Sequence, residues 1–112
     1  MGEQSPQYAK EMFETFLEEV VRELTLLPTY LEKEDWKVLR AVSHKVKPAF
    51  SMVGLTWLTR LCSELEVSLD RGEHGTAIGQ LQELMKSYKE YLPVIRRQHE
   101  MLEHKVSASL KA

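Results

Sequence analysis

Apolar residues recur at spacings of three and four along almost the whole chain, the period of one face of an α-helix, and no stretch shows the two-residue alternation of a strand. In the first stretch Phe13, Phe16, Leu17, Val20, Val21, Leu24, Leu27 and Leu31 form the stripe, with Glu11, Glu14, Glu18, Arg22 and Glu23 opposite. Ser5-Pro6 reads as its start, serine as N-cap and proline at the first helical position, where its absent N–H leaves nothing unsatisfied. The spacing predicts helix one over about residues 6–32, kinked or split near Leu27 by Pro28. Glu34-Asp35-Trp36 reads as a tight connection that puts an acid at the start of helix two. The second stripe is Trp36, Leu39, Val42, Val46, Phe50 and Val53, closed by Gly54. Pro48 lies inside it, removes the main-chain bond to the His44 carbonyl and predicts a bend there. Helix three starts near Leu55 or Thr56 and turns Leu58, Leu61, Cys62, Leu65 and Leu69 inward; Glu66, one turn after Cys62, falls at the edge of that stripe. Asp70-Arg71-Gly72-Glu73-His74-Gly75 is the clearest turn. Helix four carries Ile78, Leu81, Met85, Tyr88, Leu92, Ile95, His99 and Leu102 in a heptad-type seam, with a kink expected at Pro93. Residues 105–112 lose the pattern and are expected to fray.

Four amphipathic helices with short connections predict an all-α fold, an up-down-up-down antiparallel four-helix bundle. A length of 112 residues with no repeat or composition break reads as one domain over 1–112, its core at about 6–103. Hydrophobic content of 43% and charged content of 29% are those of a globular protein. No apolar run reaches the ~20 residues that cross a bilayer. The N-terminus shows no secretory pattern, and the single Cys62 has no partner for an internal disulfide, which together predict a cytoplasmic location.

The net charge of −2 argues against general nucleic-acid binding. Its distribution is uneven. Residues 1–35 hold nine acids and three bases, whereas residues 36–63 hold no acid and contain Lys37, Arg40, Lys45, Lys47 and Arg60. A positive zone on an acidic chain suits an anionic ligand or an acidic protein surface. On a helical wheel Val42, Val46 and Val53 share one side and His44 points nearly opposite them. Around His44 on the outward face lie Lys37, Arg40, Ala41, Lys47, Pro48 and Ser51, with Lys45 a quarter turn away. An imidazole flanked by cations keeps a nitrogen lone pair available for reaction, and Lys47, one turn on, can hold an anionic group attached to that nitrogen. The short side chains of Ala41, Pro48 and Ser51 let a flat partner approach. This combination suits accepting a phosphoryl group better than hydrolysis, and without a Gly-rich phosphate loop the donor has to be another protein's phosphate. Paired carboxylates, a metal cluster and a nucleophilic triad are not visible. His99 and His104 are five apart beside Glu100 and Glu103, a spacing that does not close a metal site, and His74 in the turn reads as solvated.

The run His44-Lys45-Val46-Lys47-Pro48-Ala49-Phe50-Ser51-Met52-Val53-Gly54 resembles the motif of the histidine-containing phosphotransfer (HPt) domain: His, a basic residue three on, a small residue four on and Gly ten on. Asp35-Trp36 before it, and Leu61-Cys62 followed by Leu65-Glu66 after it, also resemble that family. The resemblance implies that His44 accepts the phosphoryl group through its outer ring nitrogen, that Lys47 stabilises it, that Glu66 hydrogen-bonds the other ring nitrogen, and that Gly54 is the glycine of the turn after the motif. Pro48 departs from the glycine usual there.

The expected function is a phosphorelay intermediate, a phosphotransfer carrier rather than an enzyme, receiving phosphate from a receiver-domain aspartyl phosphate and passing it to another receiver. The resemblance implies receiver domains as partners, no cofactor of the chain's own (the magnesium ion belongs to the receiver) and a monomer. Lys37, Arg40, Ala41, Lys45, Pro48 and Ser51 are the expected docking residues, and no nucleic-acid or membrane partner is expected. The alternative is a helical adaptor that docks an acidic protein surface through the basic face of helix two, with His44 incidental.

Overall fold

The computed structural model describes residues 5–111; Met1 to Gln4 and Ala112, on which the readings of the N-terminus and the end of the tail fall, lie outside them. The chain is helical throughout: α1 (Pro6–Thr15), a π-helical turn (Phe16–Val20), α2 (Val21–Thr25), α3 (Leu27–Glu32), α4 (Trp36–Met52), α5 (Thr56–Asp70) and α6 (His74–Lys111), with no strand among the described residues.

The ends of these helices follow from local chemistry. Ser5 Oγ accepts the Tyr8 N–H at 3.1 Å, with Pro6 in the first turn, and the Asp35 carboxylate accepts the Val38 N–H at 3.4 Å to open α4. Gly54 (φ 82°) and Gly72 (φ 71°) close α4 and α5. In each, the residue after the glycine reaches back to the helix: Leu55 N–H to the Phe50 carbonyl at 2.8 Å, and Glu73 N–H to the Ser68 carbonyl at 2.9 Å. These are Schellman closures, which need a left-handed residue that glycine adopts without a Cβ penalty. Helix α3 closes the same way, Asp35 N–H to the Tyr30 carbonyl at 3.0 Å, but the left-handed residue is Glu34 (φ 52°). A side chain in that conformation costs about 1–2 kcal/mol.

The first helical stretch divides where the apolar stripe demands it. The Val21 N–H bonds the Phe16 carbonyl five residues back, and this wider turn lets Phe16, Val20, Leu24 and Leu27 all face the core. The split expected near Leu27 falls at Leu26, which is exposed, and Pro28 sits in the first turn of α3, where its missing N–H is harmless. Phe16 meets Phe50 of α4 with ring centroids 5.8 Å apart and planes tilted by 56°, a favourable aromatic geometry. Leu39, Val46, Phe50, Leu58, Cys62, Leu65, Leu81 and Leu84 are sealed from solvent around this pair.

Two expectations change. The inward face of α6 is Ala77, Leu81, Leu84, Tyr88 and Ile95, with Ser87, while Ile78, Met85 and Leu92 only flank it. The helix is also not frayed from residue 105: it continues to Lys111 and runs unbroken through Pro93. Its 38 residues span the 56 Å long axis of the molecule. Helix α6 packs on α1 and α5, and α4 packs on α5. Glu14 of α1 ties to Lys10 and approaches His99 Nε2 of α6 at 3.3 Å, without regular hydrogen-bond alignment. Among the described residues, no helix is long and apolar enough to cross a membrane.

Candidate functional site

The site lies where the outward edge of α4 meets α5. Leu39, Val42, Val46 and Phe50 turn inward, as do Leu58, Leu61, Cys62 and Leu65. Burying those two stripes against each other fixes which polar residues meet at the rim. The result is a ladder in which each turn forward on α4 meets one turn back along α5. Trp36 stacks on His74 at the start of α6, ring centroids 4.1 Å apart and planes 15° apart. Arg40 meets Asp70 through two bonds, Nε to Oδ1 at 2.9 Å and Nη2 to Oδ2 at 3.2 Å. His44 meets Glu66, with Nδ1 2.9 Å from Oε1.

Glu66 is the hub of this arrangement. Its side chain is only 9% exposed. Besides His44, it takes Lys47 Nζ at 2.7 Å from Oε2, an ion pair approached out of line with a regular hydrogen bond, and Arg40 Nη2 lies 3.8 Å from Oε1. Burial pushes the Glu66 carboxyl up, but the contacts with Lys47 and His44 outweigh it and hold the group below the ordinary carboxylate value. Glu66 is therefore an anion and an acceptor only, so the proton between it and His44 belongs to Nδ1. In the neutral ring, the nitrogen left with a lone pair is Nε2. The His44 side chain is 65% exposed, so that lone pair is presented beside open surface. Pro48, one turn on, lies in an uninterrupted α4 and is itself exposed. Its missing N–H falls on the solvent side, where water can serve the His44 carbonyl.

Ala41, Pro48, Ser51 and Lys37 are exposed on the same side as His44. Arg40 and Lys45 are differently placed from a set of open cations. Arg40 is held by Asp70, and Lys45 pairs with Glu23 of α2 at 2.8 Å. The Arg40 guanidinium holds the Asp70 carboxyl below its ordinary range, and the Glu23 contact raises the Lys45 ammonium. Lys47 is 28% exposed and turned to Glu66. Buried among apolar neighbours, Cys62 has its thiol pushed up to about 12 and is inert as a nucleophile. His74 is exposed, in keeping with the sequence reading, and its stack on Trp36 is a contact that reading did not include. The Arg40–Asp70 pair and Ser43, buried with its hydroxyl bonded to the Leu39 carbonyl at 2.9 Å, were also outside that reading. A four-residue step taken from His44 to Arg40 and from Glu66 to Asp70 is the signal that finds the first of them. Among the described residues, no group of three or more His, Cys, Asp or Glu side chains is placed to hold a metal ion.

Compared with known families, the chain matches the model described as the Hpt domain over residues 11–104. Neither the curated proteins nor the solved structures include a match. The matched span contains every residue of the ladder.

Proposed function

We propose that this chain, which belongs to the Hpt domain family, is a phosphorelay intermediate whose phospho-accepting residue is His44. The family carries histidine phosphotransfer in two-component signalling; the residues, the partners and the single-domain reading of 1–112 are our assignment. The observation that carries it is the His44–Glu66 contact, with Nδ1 engaged at 2.9 Å beside a buried carboxylate and the rest of the ring exposed.

The chemistry follows from that geometry. The Nε2 lone pair attacks the phosphorus of an aspartyl phosphate on a receiver domain. A P–N bond forms, the P–O bond to the aspartate breaks, and the carboxylate leaves with the electron pair. Glu66, by accepting the Nδ1 proton, holds the ring in the reactive tautomer and steadies the positive charge that grows on it. Lys47 swings from Glu66 to the phosphoryl oxygens, a short move for an ammonium on a four-carbon stem. Transfer to a second receiver reverses these steps. The chain provides nucleophile, cation and docking face, and the receiver provides the magnesium ion, so no cofactor of the chain's own enters. Lys37, Ala41, Pro48 and Ser51 form the open part of that face; Arg40 and Lys45 flank it and join only by leaving their carboxylates. Gly54 shapes the end of the accepting helix. An up-down-up-down course of the helices, a monomer and a cytoplasmic setting complete the reading. The first is supported by the antiparallel ladder between α4 and α5, the last by the free buried Cys62.

The adaptor alternative loses support because Arg40, Lys45 and Lys47 each already face a carboxylate of this chain. The test is incubation with a phosphorylated receiver domain, looking for acid-labile, base-stable phosphate on the chain. His44→Gln is expected to abolish the label and Lys47→Ala to slow its appearance without unfolding the bundle. Label persisting in His44→Gln overturns the assignment.

A further inference from the structure

We propose that Arg40 is a positioning residue for His44, acting through Glu66: a fixed cation, anchored by Asp70, that keeps the imidazole in its neutral Nδ1–H form. The inference rests on the phosphotransfer reading for its purpose, though not for its geometry.

A carboxylate hydrogen-bonded to an imidazole favours the ring's charged form, because two protons on the ring make a cation beside an anion. A ring so charged has no lone pair on Nε2 and cannot attack phosphorus. The site therefore needs the Glu66 oxygen as a hydrogen-bond acceptor without its full pull on a second proton. Two cations reduce that pull. Lys47 sits on Oε2 at 2.7 Å, but it is the side chain assigned to the incoming phosphoryl group, so its contribution is withdrawn as the reaction proceeds. Arg40 is the one that stays. Its Nη2 lies 3.8 Å from Oε1, the same oxygen that meets His44 Nδ1. That distance is too long for a hydrogen bond and short enough for charge to act.

The anchoring supports this assignment. A guanidinium has a rigid fork and Asp70 engages both of its arms, at 2.9 and 3.2 Å, so the cation is held at a fixed distance from Glu66. An arginine kept for a partner's surface has no need of a bidentate anchor within its own chain. Among the described residues, the charged groups that meet Glu66 are Arg40, His44 and Lys47 from α4, and on α5 itself Asp70 acts on Arg40, with the neutral Cys62 thiol one turn away.

The experiment uses the full chain, unphosphorylated, with ¹⁵N-labelled imidazoles read by long-range ¹H–¹⁵N spectra at neutral pH. Arg40→Gln is expected to raise the ratio of doubly protonated to neutral His44 roughly three- to five-fold, the size of a partly exposed ion pair. Arg40→Lys is expected to restore most of the wild-type ratio. In a Glu66→Gln background, Arg40→Gln is expected to change the ratio little, since the carboxylate through which it acts is gone. In single-turnover transfer from a phosphorylated receiver, Arg40→Gln is expected to be slower at neutral pH in proportion to the lost neutral fraction of the ring, a smaller factor than the change in the ratio, and to regain wild-type rate as the pH rises. A lost docking contact would instead slow transfer equally at every pH. An unchanged ring ratio in folded Arg40→Gln overturns the proposal, as does an equal effect of Arg40→Gln with and without Glu66. If wild-type protein accepts no phosphate, the phosphorelay reading fails, while the ring spectra still decide the role of Arg40.

Discussion

Replacing Glu66 by leucine and, separately, by glutamine divides the two things this side chain does. Leucine removes the acceptor of the His44 Nδ1–H and the counter-charge of Lys47, contacts of 2.9 and 2.7 Å. Hydrogen bonds to charged groups contribute about 1.5–3 kcal/mol when buried, but His44 is mostly exposed and Lys47 can turn to water. An allowance of about 1–2 kcal/mol is therefore reasonable, and relief from burying a carboxylate reduces the net loss to about 1 kcal/mol. For a domain of this size that is a fall of about 4 °C in Tm. Glutamine keeps an oxygen for Nδ1–H, so Glu66→Gln is expected to melt within the same 4 °C of wild type. Transfer responds differently. Outer partners that orient a reactive histidine are commonly worth about 10- to 100-fold. Rapid-quench transfer from a phosphorylated receiver is expected to be at least about 10-fold slower in Glu66→Leu and to fall less than about 3-fold in Glu66→Gln. Because its folded pKa is depressed, Glu66 stabilises the bundle fully above its ordinary value of 4.5. That contribution is lost as pH falls through the lower folded value. The difference in urea midpoint between wild type and Glu66→Leu, present at neutral pH, is accordingly expected to shrink as the pH is taken below 4.5. Wild-type transfer rates in Glu66→Leu would refute the role assigned to this carboxylate.

Five further substitutions test the scaffold. Gly54 has φ 82° and nothing within 4 Å of an added Cβ, so Gly54→Ala strains only the backbone and is expected to lower Tm by about 4–8 °C. Gly79 also has open space around it but lies within α6 at an ordinary φ; Gly79→Ala is expected to raise Tm by about 2–4 °C in the same melts. Glu34→Gly relieves the left-handed residue that closes α3 and is expected to stabilise by up to about 1 kcal/mol in urea titrations. Leu84→Ala is expected to lose about 2–5 kcal/mol by urea denaturation, and Met85→Ala less than half of that, because Leu84 is sealed and Met85 only half-buried.

Features governed by neighbours in the chain were legible in the sequence: the Ser5 cap, the Asp35 start of α4, the apolar stripe of α4, and the glycines at 54 and 72 that end two helices. Each depends on a few residues around it. What periodicity missed depends on contacts between helices. The seam of α6 sits one position away from Ile78 and Met85, on Ala77 and Leu84, because α1 and α5 decide which edge of a broad apolar face is covered. The π-turn at Phe16–Val20 arises because the stripe must stay on the core through the turn. The single-helix wheel put His44 on the outward face and Glu66 at the rim of its own stripe. It could not pair Arg40 with Asp70 or Lys45 with Glu23, since those pairings follow from how far α4 has slid along α5 and α2.

The turn-by-turn ladder along α4 and α5 works as a vernier for the hairpin they form. Sliding α5 by one full turn would bring Arg40 to Glu66 and set His44 opposite Cys62, a frame that ion pairing alone could tolerate. The Schellman closure at Gly54 forbids that slip by fixing where the second arm begins, and the Trp36–His74 stack checks the alignment at the far end. A single altered rung therefore loosens the hairpin locally without letting it re-index, so His44 keeps its carboxylate when one of the other rungs is replaced.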